Sequence, residues 1–524
     1  MISKSKKIQL FIIPSIVVTP LMLVSCNYNI NTTSSYAKSD IGGLEIFNEQ
    51  NIKEQNINLF EEIKTVAKNI ENGNNEEQKD LLYNQPIVQI ISPGKVNDLS
   101  FNQLVWEGVS KFSELTNIKN STYLVANTAS NIELFSQYDR ALHSGYKIWI
   151  LTGFFHETPF SEWLKFGNNQ SKLEQKKIKI ISVDWDVQKY IKPGLGLSAL
   201  FRTQESSFVI GYSISKFLAE KYSGDNNKDK RIINTSAGFD NSGATNFNYG
   251  FLEGIRTWNK EQKDNSTKIQ SNVYTDKEKV WLGTTFVANN PDTRKDFEFS
   301  IKGGTNIFKG KSPTIIMPVA GDWSKTAADI IKDTNNKNKQ WVIGVDTNMA
   351  ISYGKEYSNY FITSSEKKIA ILIVKALCFL TGITDEITKT IPNNNLKLRD
   401  DISMDLQNQE ILIGTEAQNL VIEGRITDDL VGYSPSTIEN LDDANKFNNI
   451  LDETKKRFFE DETTSLKNIV DQTKLKNFED TKPDDVVAFN EAVFDLNNVY
   501  YGTMSSSNQG YFNDVLDEIN EWTK

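Results

Sequence analysis

From residue 85 to about residue 381, the chain alternates short apolar runs with longer amphipathic stretches. The apolar runs have the length of strands, and the stretches between them are long enough to form helices. Strands separated by helices indicate βαβ units, which build parallel sheets. We therefore predict an α/β fold of doubly wound parallel sheets. The predicted strands cover 87–92, 122–126, 147–153, 177–184, 231–237, 313–320, 341–346 and 360–364, and the predicted helices cover 101–117, 131–145, 204–222, 244–260, 323–333 and 366–381.

The chain has 524 residues, which is too long for a single hydrophobic core, because cores stop growing at about 250–300 residues. We therefore expect two or three domains. The alternation begins after Gln85 and stops at about Tyr433. The charged, helix-prone remainder, residues 434–524, is predicted to be a helical C-terminal extension that packs on the body or offers a surface to a partner.

The N-terminus has the parts of a secretory signal. Lys4, Lys6 and Lys7 precede an apolar stretch, which ends in Leu-Val-Ser before Cys26. This ending resembles a bacterial lipobox, in which the Cys is acylated, so we predict a lipid anchor at the outer face of the cell membrane. The alternative is an uncleaved membrane anchor, although the stretch contains two prolines and is barely long enough to span a bilayer. The predicted signal peptide is 1–25, and the predicted tether is 26–84, with a short amphipathic helix near 59–70.

The charge balance argues against nucleic acid as a partner. The net charge is −10 and the pI is about 5.1, and no long basic block follows the first few residues. A protein dedicated to nucleic acid normally carries a basic face. Abundant Asn and Lys with little Arg is typical of an AT-rich genome, such as that of a mollicute.

The chain contains few residues suited to catalysis or to metal binding. His143 and His156 are the only histidines, and Cys378 is the only cysteine besides Cys26. Cys378 lies in an apolar helix, where a buried thiol is expected. No His/Cys cluster for zinc is available. We therefore predict no metal, no cofactor, no disulfide and no catalytic centre.

Five of the predicted strands end in short segments rich in Gly, Asp and aromatic residues. Turns at a sheet edge account for part of this pattern. In open α/β sheets, however, ligands bind beyond the carboxyl ends of the strands, and a shared ligand cleft also accounts for the carboxylates and aromatics. The segments are IISPGKVND (90–98), WILTGFF (149–155), IISVDWD (180–186), IMPVAGD (316–322) and WVIGVDTN (341–348).

Several segments are similar, in order, to the motifs of one known family. Its first motif, Val-Asp-Asp-Lys-Ser-Phe-Asn-Gln followed by Trp-Glu-Gly, is similar to residues 96–103 and 106–108. The chain therefore resembles the basic membrane protein family, which comprises lipid-anchored substrate-binding subunits of ABC importers, several of which bind purine nucleosides. The resemblance covers residues 86–433, and its further segments are GFDNSGATNFNYGFLEG (238–254), LGTTF (282–286), VAGDW (319–323), WVIGVD (341–346) and SSEK (364–367).

The resemblance implies a type I periplasmic-binding-protein clamshell, in which two α/β lobes are joined by three crossovers. It also implies a nucleoside as ligand, an ABC transporter permease as partner, and binding without catalysis. The expected boundaries are 86–198 and 347–375 for lobe 1, and 199–346 and 376–433 for lobe 2.

The family's ligand contacts carry over to matching positions in this sequence. Asp346 is expected to accept hydrogen bonds from ribose hydroxyls, and Lys367 is expected to donate to the sugar oxygens. Phe286 is expected to stack on the base, with Phe101 or Trp185 opposite. The remaining candidates for the ligand site are Asn97, Asp98, Asn102, Asp184 and Gly321.

This sequence departs from the family pattern at two places that we expect to lie in the cleft. Asn97 stands where the family has Asp, and Leu99 stands where it has Lys. The second Gly of the family's Ala-Gly-Gly loop is Asp322, followed by Trp323. These changes leave a different nucleobase or a sugar open as the ligand.

The expected function is capture of a nucleoside, most readily a purine nucleoside, by closure of the two lobes, followed by delivery to an ABC importer. The alternative is a surface adhesin or antigen that uses the same fold without transporting a small molecule. A third hypothesis is an exported hydrolase that acts on nucleosides. Nucleoside binding without reaction is expected of the first, adhesion to a host cell or matrix of the second, and release of free base from a nucleoside of the third.

Overall fold

In a computed structural model, the structure describes residues 43–47, 53–188, 190–192, 194–285, 290–301, 311–333, 340–383, 396–397, 420–460 and 508–523. The predicted signal peptide, Cys26 and Phe286 lie outside these residues. Within them, no helix is both long enough and apolar enough to cross a membrane.

The strands and helices are numbered along the chain. The strands are β1 (Ile87–Ile91), β2 (Ser121–Val125), β3 (Ile148–Thr152), β4 (Lys179–Val183), β5 (Gly196–Phe201), β6 (Ile232–Ala237), β7 (Gln270–Ser271), β8 (Trp281–Leu282), β9 (Ile315–Val319), β10 (Trp341–Asp346), β11 (Phe361–Lys367), β12 (Leu396–Lys397), β13 (Leu420–Gly424) and β14 (Val431–Tyr433). The helices are α1 (Glu54–Asn72), α2 (Glu76–Tyr83), α3 (Phe101–Thr116), α4 (Asn131–Ser144), α5 (Glu157–Lys165), α6 (Asn169–Gln175), α7 (Thr203–Lys221), α8 (Ser242–Glu261), α9 (Pro291–Ile301), α10 (Gly321–Asp333), α11 (Met349–Ser352), α12 (Lys355–Ser358), α13 (Ile369–Leu380), α14 (Leu441–Lys455) and α15 (Asn508–Asn520).

The strands form two sheets, one in each lobe. The first sheet has the order β12-β13-β5-β4-β3-β1-β2, and the second has the order β14-β11-β10-β9-β6-β7, with β8 beside β6. Among the described residues, all neighbouring strands are parallel except β12 with β13 and β14 with β11. The predicted α/β fold of parallel sheets is therefore confirmed.

The continuous apolar runs predicted their strands to within a few residues. The pattern missed β5, whose sequence GLSALF is diluted by Gly and Ser, and it missed β13 and β14. It also ended the strand before α13 too early, because β11 continues through Ser-Ser-Glu-Lys to Lys367. The end of this strand was missed because its residues are polar although they are buried.

Within the described ranges, three crossovers lie side by side where the chain passes between the sheets. Arg202 forms the first and Lys368 the second, and residues 425–430 form the third. The Arg202 N–H donates to the carbonyl of Gly424 at 2.9 Å, and the Lys368 N–H donates to the carbonyl of Leu430 at 2.9 Å. These bonds join the crossovers into a single hinge.

A buried carboxylate reinforces the hinge. Glu205 lies 3.2 Å from Arg202 in the first crossover and 3.2 Å from Arg425 in the third, and it also accepts the N–H of Ile426 at 3.0 Å. All three charged side chains are buried. Moving the first and third crossovers apart would leave a buried charge without its partner, which is strongly destabilising. This cluster therefore holds the two crossovers together.

The expected lobe boundaries were wrong at two places. Residues 347–375 were expected in lobe 1, but β11 lies in the second sheet, between β10 and β14. Residues 376–433 were expected in lobe 2, but β13 lies in the first sheet, where it pairs with β5. Each of these segments contains a crossover, and the local pattern of apolar residues does not reveal which sheet a strand joins.

The segments that flank the lobes pack against them from outside. Helix α1 packs on α3 of lobe 1, α14 packs on α7 of lobe 2, and α15 packs on α8 and on the edge strand β7. The amide of Asn520 pairs with the backbone of Ser271 in β7, accepting at 2.8 Å and donating at 2.9 Å. Helix α15 thereby covers an edge that would otherwise offer free hydrogen-bonding groups.

Helices α7 and α8 cross in close contact because glycines face the opposing backbone. A Cβ added at Gly250 would overlap the carbonyl of Gln204, and one added at Gly254 would overlap the carbonyl of Phe208. Both glycines belong to the segment that resembles a family motif. The motif therefore serves helix packing in lobe 2.

We predict that Gly250→Ala lowers the free energy of unfolding by about 3 kcal/mol or more, because a methyl group here meets backbone that cannot move aside. Urea unfolding followed by circular dichroism measures the change. Gly432→Ala is the control, since a Cβ at Gly432 would meet nothing within 4 Å, and it should change stability by less than about 0.5 kcal/mol. Equal stability of the two variants would contradict the packing role.

Candidate functional site

Two aspartates stand at corresponding positions, one at the end of a central strand in each lobe. Asp184 follows β4, and Asp346 is the last residue of β10. The order of the sheets makes these strands equivalent, since each is fourth from the β2 or β7 edge. Both aspartates have a φ of +66°, in the left-handed region that Asp tolerates better than most residues. Residues in this strained conformation cluster at functional sites.

The ammonium group of Lys367 joins the two aspartates. Its Nζ lies 2.6 Å from Asp184 Oδ2 of lobe 1 and 3.2 Å from Asp346 Oδ1 of lobe 2. Lys367 is the last residue of β11, directly before the second crossover, and its side chain is only 3% exposed. The predicted pair of Asp346 and Lys367 therefore converges at the gap between the lobes, together with Asp184.

The carboxylates that pair with Lys367 stabilise its protonated, charged form. Burial by itself would lower the pKa of the ammonium group, because it disfavours the charged form. The carboxylates of Asp184 and Asp346 outweigh this effect and raise the pKa of Lys367 above its usual value. The lysine is therefore cationic across the physiological pH range.

Aromatic rings surround the same ammonium group. The Nζ of Lys367 lies 5.2 Å from the ring centre of Phe101, 5.1 Å from that of Phe247 and 5.9 Å from that of Phe201. Phe101 comes from lobe 1 and Phe247 from lobe 2. Cation–π attraction at these distances helps to keep the charge in an otherwise apolar setting.

Asp98 holds the start of helix α3. Its carboxylate accepts the backbone N–H groups of Ser100, Asn102 and Gln103 at 3.0–3.1 Å. Removal from water raises the pKa of Asp98 to about 6, although the three donors act in the opposite direction. Since both oxygens already accept backbone hydrogen bonds, Asp98 stabilises the turn that precedes α3.

The two lobes touch at several points around the aspartates. A Cβ added at Gly321 of lobe 2 would lie 3.5 Å from Ser100 of lobe 1. On another side of the gap, the ring of Phe239 lies 5.6 Å from that of Phe154 and 5.0 Å from that of Phe155. The described arrangement is therefore a closed one, and an aromatic contact links the lobes.

The structure places the other predicted site residues differently. Asn97 is exposed on the turn before Asp98. Asn102 is buried, and its Nδ2 would lie 3.0 Å from a Cβ added at Gly94, within the same loop. Phe286 lies outside the described residues. The expected contacts of Asn97 and Asn102 with a base are thus not evident in this arrangement.

Two tryptophans expected at the cleft belong to hydrophobic cores. Trp185 packs against Phe160 and Tyr190 in lobe 1. Trp323 is fully buried in lobe 2, where its Nε1–H donates to the carbonyl of Thr285 at 2.9 Å. The change at Trp323 from the family pattern therefore alters the packing of lobe 2 and does not add a side chain to the cleft.

His156 is a buried structural residue of lobe 1. Its Nε2 lies 3.0 Å from the carbonyl of Ile90, and its Nδ1 lies 2.7 Å from the hydroxyl of Tyr138. Burial lowers the pKa of His156 to about 3. Its neutral ring thus holds β1 against α4.

A cavity beside the hinge contains residues that the sequence did not single out. It is lined by Asp346, Asn348 and Lys367, and by Glu45 and Lys53 from the segment that precedes lobe 1 in the sequence. Asn348 is 7% exposed, and its Oδ1 has no hydrogen-bond partner among the residues that the structure describes. Only a Val-Asp-Thr-Asn sequence at a strand end could have pointed to Asn348, and no sequence signal pointed to Glu45.

Comparisons with known proteins find the following similar chains. A curated relative, the ABC transporter nucleoside-binding protein BmpA of Lactococcus lactis subsp. cremoris, is 28% identical over 344 residues, which cover 63% of this chain and 85% of the relative. A solute-binding protein of an ABC transporter system from Aeropyrum pernix K1 has a TM-score of 0.47 at 14% identity, over 83% of this chain and 97% of that one. A solute-binding protein from Conexibacter woesei has a TM-score of 0.42 at 11% identity, over 70% and 95%.

One family of proteins matches the N-terminal part of the two-lobed body. Its model describes PnrA-like substrate-binding proteins of ABC transporters, and it matches residues 86–279. The matched range includes Asp98, Phe101 and Asp184 at the interlobe gap. Over residues 86–279, the chain is therefore similar to the Bmp family of PnrA-like ABC transporter substrate-binding proteins.

Proposed function

We propose that this protein captures a nucleoside, with a purine nucleoside as the preferred ligand, and delivers it to the permease of an ABC importer. The match of residues 86–279 to a family of ABC transporter substrate-binding proteins supports binding over catalysis. The nucleoside-binding relative from Lactococcus lactis supports the choice of ligand. The observation that carries the proposal is the cluster of Asp184, Lys367 and Asp346 between the lobes.

The charge of this cluster suits a ligand with hydroxyl groups. The two carboxylates of Asp184 and Asp346 share the single ammonium group of Lys367, so the net charge of the cluster is −1. A buried carboxylate is costly unless donors reach it. The neighbouring hydroxyls of a ribose are such donors, and hydrogen bonds to a carboxylate are stronger than bonds between neutral groups.

The aromatic rings near the cluster suit a planar base. Phe101 is partly exposed beside Lys367, whereas Phe247 is buried behind it. Base–aromatic stacking contributes about 1–3 kcal/mol per base. Phe286 remains the second stacking candidate that the resemblance implies.

The proposed mechanism is capture by closure of the lobes. A ligand that touches Asp184 of lobe 1 and Asp346 of lobe 2 gains both contacts only in the closed form, and it therefore shifts the equilibrium toward that form. The three crossovers at Arg202, Lys368 and residues 425–430 form the hinge for this motion. The closed, loaded protein then docks on the permease.

We predict that calorimetry detects binding of at least one purine nucleoside, with a Kd on the order of 1 μM or below. Asp346→Ala should weaken this binding by about 10-fold to 100-fold, because hydrogen bonds to a charged group contribute about 1.5–3 kcal/mol. Asp333→Ala is the control, since Asp333 is exposed at the end of α10 in the same lobe.

Three other outcomes of this measurement would count against the proposal. Folded protein that gives no heat with purine or pyrimidine nucleosides would favour the adhesin or antigen alternative. Release of free base from inosine or guanosine would favour a hydrolase. Equal affinity of the Asp346→Ala variant and the wild type would remove Asp346 from the ligand site.

We further propose that the protein is held at the outer face of the membrane by acyl chains on Cys26. Cys26→Ser should abolish the incorporation of labelled palmitate and move the protein out of the membrane fraction, because each buried CH₂ contributes about 0.8 kcal/mol to anchoring. Cys378→Ala is the control, since Cys378 is buried and unreactive in its helix. Labelling that persists in Cys26→Ser would place the anchor elsewhere.

A further inference from the structure

A carboxylate from a distant part of the chain occupies the N-terminus of α13. The N–H groups of Ala370 and Ile371 donate to Glu45 Oε2 at 3.1 Å and to Oε1 at 3.0 Å. The residue before the helix, Lys368, makes no capping bond with its own side chain. Free N–H groups and the helix dipole make such a terminus a ready site for an anion. In this protein, the anion is the chain's own Glu45.

Residues 43–47, the strap, hold this carboxylate in place. The N–H groups of Leu44 and Glu45 donate to Glu107 of α3 at 2.6 Å and 3.1 Å. Glu107 is fully buried, and Leu44 and Ile46 are buried in the hydrophobic core of lobe 1. The strap is therefore fixed to lobe 1, and these contacts hold the backbone of Glu45 beside the helix terminus.

Glu45 faces the same cavity as the predicted sugar-binding residues. The cavity is lined by Glu45 on the strap side and by Asp346, Asn348 and Lys367 on the side of lobe 2. The buried Oδ1 of Asn348 has no partner among the described residues, which leaves an acceptor for a polar group in this cavity.

The lysines that line the cavity are already matched by carboxylates. Lys368 pairs with Glu366, and Lys53 pairs with Asp429 at 2.6 Å. These lysines are therefore not available to bind a phosphate group attached to the sugar of a ligand. The helix terminus is not available either, because the negative charge of Glu45 occupies it.

We propose that Glu45 is a specificity-determining residue of the solute cavity. Its carboxylate fills the anion position at the start of α13, so the cavity accepts an uncharged sugar end and rejects a ligand that carries a phosphate there. This inference rests on the proposed function, because it assumes that a nucleoside occupies the cavity. It separates nucleosides from nucleotides as ligands.

The test compares adenosine with adenosine 5′-monophosphate by calorimetry for the wild type and Glu45→Ala. The wild type should bind the monophosphate at least about 100-fold more weakly than adenosine, because a phosphate next to a carboxylate is strongly repelled. Glu45→Ala should bind the monophosphate at least about tenfold more tightly than the wild type does. Its affinity for adenosine should change by less than about threefold.

The conditions and controls follow from the position of Glu45. Burial raises the pKa of Glu45 to about 7, against the effects of Lys368 and the helix N–H groups, so the measurements belong near pH 8, where the carboxylate is ionised. Glu54→Ala is the matched control, because Glu54 is exposed on α1, and it should behave as the wild type. Glu45→Gln keeps one oxygen acceptor without the charge, and it should also gain affinity for the monophosphate.

Inorganic phosphate separates failure of this inference from failure of the proposed function. It should raise the melting temperature of Glu45→Ala, or of Glu45→Gln if the alanine variant does not fold, and it should leave that of the wild type unchanged. Absence of binding of every purine and pyrimidine nucleoside to the wild type overturns the proposed function alone. Absence of the phosphate effect in a folded variant, or an unchanged ratio of the two affinities, overturns the role of Glu45.

Discussion

The structure depends on one buried ammonium group. Lys367 ends the strand that precedes the second crossover, and its charge attracts Asp184 of lobe 1 and Asp346 of lobe 2. Removing a charge from water costs several kcal/mol, and removing one partner of a buried pair is strongly destabilising. The left-handed conformations of the two aspartates are therefore held by an interaction that lies at the meeting point of the lobes.

Much of the fold could be read from the sequence, because strands that are buried on both faces are continuous apolar runs. The runs in β1, β3 and β10 gave nearly the observed bounds. The assignment of strands to lobes could not be read in this way. Strand β13 joins β5 across more than two hundred residues of chain, and its own composition fits either sheet equally well.

The site was predicted in part for the same reason. Asp184, Asp346 and Lys367 follow strands, and strand ends of a parallel sheet meet at one edge. By contrast, Glu45 lies in a short segment near the N-terminus for which no strand or helix was predicted, and its carboxylate accepts an N–H group 325 residues away. Trp185 and Trp323 were misplaced because a tryptophan next to a strand end fits a core as well as a cleft.

The pairing of β5 with β13 also has a consequence during synthesis. A ribosome adds about 5–20 residues per second, so the roughly 220 residues between Phe201 and Leu420 take about 10–45 s to make. Throughout that interval, β5 can pair with β4 but not with β13, and its other edge carries unpaired backbone groups that can bind foreign strands. The first sheet can therefore be completed only after translation has passed residue 424.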